Sequence, residues 1–547
     1  MAENDGTPSS VVTYSSPKRA SACPTPHPIC AAAFALALGS LSAQGAVPFL
    51  VPGPGPGPGP APLTEVASAS ELVQAGERAL EAEDPVVSWR TFQAAALAAP
   101  SNEDARIGLG RAHLLLGRAS IAQAYADQAL LSDALSEPAM TLAVRARIRA
   151  RQFEAAMQCA ADYTGRIVAP SAPLLAAQAS ALFRVQRTED AGLVYKAVIE
   201  RDPLHAEAHL RLGSGLMNPR TVVIGLEIHA AVAAMQRGEL ARAIAALSTC
   251  LAVDSDNPVV HRLLGEALLQ QRTLASMAMR DEAFARLRTA LAAPDVGSLP
   301  IADFMPAYDQ LTGARRAVVE RAMALFGSRL KRMIVIGGKH DLLLEVDRTT
   351  DSESRSMLRG RRTFDGRVWD DVRGIGGLSA ATGIEALDEA AQHGFDTLVH
   401  ELAHQVHYYA LKPVDQARIR ELYHKAKQQG FCLDYYAATN EAEYFGQGVE
   451  AFVSLGKRPG GETTHGHTRF ELFRVDRALH DFVASIVDRD PLASARRVEL
   501  LEAAIDVALR CGRPEDAVIA ATMLPEGDLR VEATAKAAAA ARAATNW

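Results

Sequence analysis

The sequence predicts a mainly α protein: a long array of helical hairpins, then an α+β domain, then a C-terminal helical hairpin. Three observations carry this. Hydrophobic residues make up 48% of the 547-residue chain and aromatics only 5%, which suits Ala- and Leu-rich helix packing better than sheets built on aromatic and β-branched pairs. Leu-Gly pairs recur at long intervals through the first half. The segment 396–411 (DTLVHELAHQVHYYAL) has an apolar stripe at the helical period. That hydrophobic content excludes wholesale disorder. A net charge of −7 with no long Lys/Arg block argues against nucleic-acid or anionic-membrane partners.

Residues 1–62 read as a disordered tail outside the fold. Lys18-Arg19 precede an uncharged apolar stretch, Ile29 to Leu41, then Ala43-Gln44-Gly45 and a Pro-Gly repeat from Pro52 to Pro60. The basic pair, apolar stretch and small residues resemble a secretory signal with cleavage after Gly45. Glu3, Asp5 and the long leading segment argue the other way, so export and cytoplasmic residence both stay open. The apolar stretch is short for a membrane span, and the Pro-Gly run is a linker on either reading.

Residues 63–292 hold the hairpin array. Leu109-Gly110, Leu212-Gly213 and Leu264-Gly265 each lie ten residues past the pairs that begin at Ala99, Asp202 and Asp254. Leu109 to Leu212 spans 103 residues, close to three units of about 34. Leu212 to Leu264 spans 52, so one unit carries an insertion around Asn218–Gly225. Ala122, Ala191 and Ala243 stand where a small residue lets two helices approach, with Tyr195 and Leu247 four residues beyond as packing knobs. Gly117 and Gly238 suit the turn inside a hairpin. These features resemble tetratricopeptide repeats over roughly residues 65–292. The resemblance implies a groove for a peptide or protein partner, and a purely scaffolding array is the other reading. The six cysteines, Cys23, Cys30, Cys159, Cys250, Cys432 and Cys511, include no CxxC pair and read as free, mostly buried thiols.

The chemistry concentrates in residues 293–490. Val399, Leu402 and Val406 mark a buried helix face, and His400 and His404 stack one turn apart, where two imidazoles can share one zinc ion. Glu401 is rotated about a quarter-turn away and can hold the attacking water without ligating the metal. His407 lies about 10 Å along the axis from His400, too far for one ion to bridge, and reads as a solvated residue or one that supports a ligand from behind. The metzincin continuation is excluded, because it needs Gly at 407 and His at 410, where His407 and Ala410 stand. A third ligand is expected in a second helix within Tyr435–Phe452, where Phe445, Val449 and Phe452 form one stripe and Glu443, Gln447 and Glu450 another. Glu443, 39 residues after His404, is the candidate. The competing reading makes it a capping-box partner of Asn440.

His400-Glu401-x-x-His404 followed by Tyr436-x-x-x-Asn440-Glu441-Ala442-Glu443-Tyr444-Phe445 resembles the anthrax lethal factor-type zinc metallopeptidase domain, a gluzincin. The resemblance is specific over residues 396–452 and diffuse over about 300–490. It implies a zincin-like α+β fold, one Zn2+ per chain, Glu443 as the third ligand, Glu401 as general base, and Tyr436 facing the reacting carbonyl. The expected activity is hydrolysis of peptide bonds in a protein or peptide substrate. Gln447 departs from the family, which commonly has a carboxylate there supporting a ligand histidine; Gln can accept that hydrogen bond but supplies no charge. The rival expectation is a scaffold whose peptidase-like domain binds metal without cleaving.

Elsewhere in this domain, Met333-Ile334-Val335-Ile336 and Asp341–Val346 read as strands, and Gly374-Ile375-Gly376-Gly377 as an edge strand or loop near the substrate. Gly338-Lys339 is not a phosphate loop, lacking Gly at 333 and Ser or Thr at 340. Residues 491–547 return to the helical pattern, with a hairpin around Gly512 and an Ala-rich last helix from Ala533.

Overall fold

The computed structural model describes residues 68–216, 226–278, 281–291, 294–363, 365–459 and 466–545. The tail expected over 1–62, with Cys23, Cys30 and the Pro-Gly run, lies outside them, as does the insertion expected around Asn218–Gly225. The chain is mainly α. Among the described residues no helix is long and apolar enough to cross a membrane, and Cys159, Cys432 and Cys511 are buried.

The first helices pair as hairpins: α1 (Ala69–Glu81) with α2 (Pro85–Ala98), α3 (Glu103–Leu115) with α4 (Ala119–Ser132), α5 (Glu137–Arg149) with α6 (Phe153–Thr164), and α7 (Ala172–Arg184) with α8 (Thr188–Arg201). Local chemistry starts several of them. Ser68 and Glu71 form a reciprocal capping box on α1, Asp84 caps α2 ahead of Pro85, and Asn102 caps α3. Each turn inside a hairpin passes through a left-handed residue: Glu83, Gly117, Arg151, Gln186 and Gly238. Only two of these are glycine, so the remaining turns carry no glycine signal and hold an ordinary residue in an unfavourable conformation.

The array continues through α9 (Ala206–Arg211), α10 (Leu226–Gln236), α11 (Leu240–Val253) and α12 (Pro258–Ala278). The recurring glycines act at a crossing. A Cβ on Gly213 would lie 2.3 Å from the Arg262 backbone nitrogen, and one on Gly265 2.6 Å from that of Leu210, so bare backbones let α9 and α12 meet. Ala122, Ala191, Ala243, Tyr195 and Leu247 are all buried without exposure. The next helix, α13 (Asp281–Ala290), leaves this pattern. Its Phe284 and Leu287 join Leu501, Ala504 and Val507 in a separate core with the C-terminal helices.

Residues Ile301 to Ile486 contribute one hydrophobic core. Within it lie α14 (Gly313–Leu325), α15 (Gly327–Val335), β1 (Lys339–Leu343), β2 (Gly374–Ile375) and β3 (Ser379–Gly383). The sheet order is β1-β3-β2: β1 runs parallel to β3 with Lys339 opposite Ser379, and β2 antiparallel with Ile375 opposite Ala381. The expected strand at Met333–Ile336 is instead the end of α15. Leu330 and Met333 enter the core at helical spacing while Val335 is 84% exposed, and left-handed Gly337 ends the helix. The run expected over Asp341–Val346 is β1, which begins two residues earlier and stops where Asp347 accepts the Leu344 N–H at 2.8 Å.

The remaining helices are α16 (Glu385–Ala391), α17 (Thr397–Tyr409), α18 (Pro413–Gln429), α19 (Glu441–Val453), α20 (Arg469–Val475), α21 (Arg477–Ile486), α22 (Arg497–Arg510), α23 (Pro514–Thr522) and α24 (Asp528–Thr545). Helix α17 is tied to the sheet by Gln405, whose amide donates to the Lys339 carbonyl at 3.0 Å while its oxygen pairs with the His340 ring at 2.9 Å. The start of the array also meets its end. Glu83 pairs with Arg272 of α12 at 2.8 Å, Arg118 donates to the Ala544 carbonyl at 2.6 Å, and Gly512, in the α22–α23 turn, sits against Leu116.

Several buried histidines must stay neutral. Burial pushes His340 down to about 4, and burial with the Arg288 and Lys457 charges pushes His393 down to about 3. The unfolded chain takes up a proton near 6.5 that the folded chain refuses, so their contribution is complete above that pH and is lost as pH falls toward 4. For His340 alone the loss is on the order of 3 kcal/mol. Thermal melts should therefore show the unfolding midpoint falling steadily between pH 6.5 and 4. A flat midpoint there would contradict neutral burial.

Candidate metal centre

Helix α17 begins where the Asp396 carboxylate accepts the Val399 N–H at 3.0 Å. Leu398, Val399, Leu402, Ala403 and Val406 bury one side, which fixes the rotation that turns His400 and His404 toward α19. Both histidines are buried. Helix α19 starts at Asn440, whose side-chain oxygen accepts the N–H groups of Ala442 and Glu443 at 3.0 Å each. Asn440 thus does the capping, and the Glu443 carboxylate turns to the histidines. Its Oε2 lies 3.0 Å from His400 Nε2 and 3.5 Å from His404 Nε2, and the two Nε2 atoms are 3.0 Å apart with their rings nearly perpendicular.

These distances fit a metal. Tetrahedral zinc with bonds of about 2.0–2.1 Å separates its ligand atoms by roughly 3.3 Å, and the three donors cluster at that scale. Among the described residues they are the single group of three His, Cys, Asp or Glu side chains that could hold an ion. Two imidazole nitrogens and a carboxylate oxygen converging on one point are a donor set that suits zinc. Burial would raise Glu443, but the hydrogen bonds and charges of His400 and His404 outweigh it and hold the carboxyl well below its usual range.

Glu401 stands beside this group in a dry position, and burial, with the Glu443 charge, raises its carboxyl. Gly374 and Gly376 cover it: a Cβ on Gly374 would lie 2.7 Å from Glu401 Oε1, and one on Gly376 3.0 Å from His404 Cβ. The glycine cluster expected to be an edge strand or loop is β2 with its following turn, laid over the candidate base. Tyr436 faces the same space, its phenol raised by burial and by the Glu443 and Glu401 carboxylates. His400, Glu401 and Tyr436 line a cavity of about 2570 Å³ whose other wall includes Phe153, Arg149 and Arg211 of the array.

Gln447 is fully buried one turn beyond Glu443. Glu450, also fully buried, pairs with Lys457 and accepts the Asp396 N–H at 3.0 Å. His407 is a correction. It is 1% exposed, lies between Tyr408 and Phe445 with ring centroids at 4.6 and 5.4 Å, and is pushed down to about 4 by burial. The α17–α19 contact extends past the ligands and covers it, so it is not solvated.

Three further residues shape the centre. A Cβ on Gly446 would lie 2.9 Å from His400 Cε1 and 3.0 Å from His404 Cε1, so this glycine allows α19 its close approach. Its position between Glu443 and Val449 was the available signal. Arg367 places a positive charge near both Glu401 and Tyr436, with no sequence mark. His467 bridges Asp434 at 3.2 Å and Glu471 at 3.1 Å and is pushed up to about 9 by these carboxylates, against its own burial. No protein-family model matches the chain, and a search of curated proteins likewise gives no match, so the reading of this centre rests on its residues and their geometry.

Proposed function

We propose that the chain is a zinc-dependent endopeptidase, built as a tetratricopeptide-like array followed by a zincin-like domain of the lethal factor type. The observation that carries this is the convergence of His400, His404 and Glu443 on one point, with Glu401 alongside and Tyr436 across the same cavity. Bound zinc supplies Lewis acidity that brings water to a pKa of about 7 and polarises the scissile carbonyl. Glu401, raised by its dry site, takes the proton of the attacking water and hands it to the leaving amine. The Tyr436 hydroxyl, which stays protonated, donates a hydrogen bond to the developing oxyanion.

The array supports substrate or partner binding, because its inner helices form the wall facing the centre. The test is metal content followed by hydrolysis of a broad peptide library. The expected result is one zinc per chain, cleavage that disappears on dialysis against a chelator, and recovery on adding back zinc. Stoichiometric zinc with no cleavage of any peptide would favour the metal-binding scaffold instead.

A further inference from the structure

The turn that carries Tyr436 is gripped from outside its own domain. Arg151, at the turn between α5 and α6, donates to the Leu433 carbonyl at 2.9 Å. Arg184, at the end of α7, donates to the Tyr435 hydroxyl and lies over the Tyr435 ring, 5.1 Å from its centroid. Phe153 meets the same ring edge-on at 4.9 Å. The contacts fall three residues and one residue before Tyr436. They cross 282 and 251 positions of chain. The domain's own elements hold the other flank: Asp434 accepts the Ala437 N–H at 2.7 Å, and Tyr423 donates to the Ala438 and Thr439 carbonyls at 3.1 Å.

The backbone of Arg151 is itself strained. It occupies a left-handed conformation, φ 62°, at the hairpin position where another unit has Gly117. Backbone economy favours glycine there, and an arginine accepts strain. The same holds for Glu83, φ 51°, which also reaches across the fold, to Arg272. At both turns the side chain spans to a distant segment.

From these contacts we infer that Arg151 and Arg184 are positioning residues: the array sets Tyr436 over the candidate centre, so the active site is complete only with the array in place. This rests on the peptidase reading. Both arginines use planar donor groups on the chain's own oxygens, which fixes orientation as well as distance.

The substitution Arg151→Gly separates this role from a structural one, because it removes the side chain while relaxing the backbone. In the full-length chain its melting temperature should match or exceed wild type, with zinc content unchanged. The kcat should fall roughly 10- to 100-fold with KM within about twofold, since misplaced groups cost rate at the reacting centre. The same fall in kcat with KM little changed should hold for Arg184→Ala, and in a Tyr436→Phe background neither change should lower the rate further. Fluorine NMR of chain labelled with 3-fluorotyrosine, the Tyr436 signal assigned by its loss in Tyr436→Phe, should show that resonance shifted in both arginine variants. An unmoved resonance, a full rate loss in the Tyr436→Phe background, or a raised KM with unchanged kcat would each overturn the inference. If wild type cleaves no peptide, the peptidase reading fails by itself, and the resonance still decides whether the arginines place Tyr436.

Discussion

Glutamine in place of Glu401 should leave one zinc bound and lower hydrolysis of every susceptible peptide by roughly 10²- to 10⁴-fold. The two side chains are nearly the same size, and Gly374 fits so closely over Glu401 Oε1 that the substitution tests protonation chemistry without repacking. Glutamine cannot accept the water's proton, yet it keeps the contact with β2 and does not touch the zinc donors. Metal analysis and the hydrolysis rate, measured on the same preparation, separate the two roles. Equal activity in Glu401→Gln would sink the mechanism, and lost zinc would mean that Glu401 helps to hold the ion.

A methyl group at Gly446 should cost at least about tenfold in zinc affinity. The built Cβ falls inside contact distance of both ligand rings, 2.9 Å from His400 Cε1 and 3.0 Å from His404 Cε1. The rings must then rotate or α19 must back away, and either movement spoils the convergence of three donors. Overpacking of this kind also costs about 1–3 kcal/mol of stability. Chelator competition at fixed temperature measures the first effect, and melts in excess chelator measure the second. Zinc binding by Gly446→Ala as tight as wild type would show that α19 can yield without disturbing the ligands.

The paired histidines were legible in the sequence because an α-helix turns i and i+4 to one side, and the stripe of Val399, Leu402 and Val406 fixes which side faces inward. Glu443 was legible only as one of two readings. A carboxylate three residues after an asparagine serves equally as cap or ligand until the second helix is seen to pack against the first. The run Met333–Ile336 misleads because a short apolar stretch fits a strand or a helix alike; Leu330 and Met333 show the helical spacing that prevails. His407 is not solvated, because the reach of one helix along another is set by packing and Phe445 covers it. The hairpin turns at Glu83 and Arg151 leave no mark, since strain tolerated for a side chain's sake looks like an ordinary surface residue in sequence. The grip on the Tyr436 turn was invisible for the same reason: contacts across more than 250 positions have no local pattern.

The contact between the first hairpin and the last helices changes how this chain must assemble. Stacked hairpins alone meet only their sequence neighbours, so they can form early, grow from any unit and fray from either end. Here Val86 and Leu116 meet Gly512, and Arg118 donates to the Ala544 carbonyl, joining residues that leave the ribosome near opposite ends of synthesis. The first unit therefore waits for the last helices before its outer edge is covered. With these contacts made, the helices they join open together rather than one at a time.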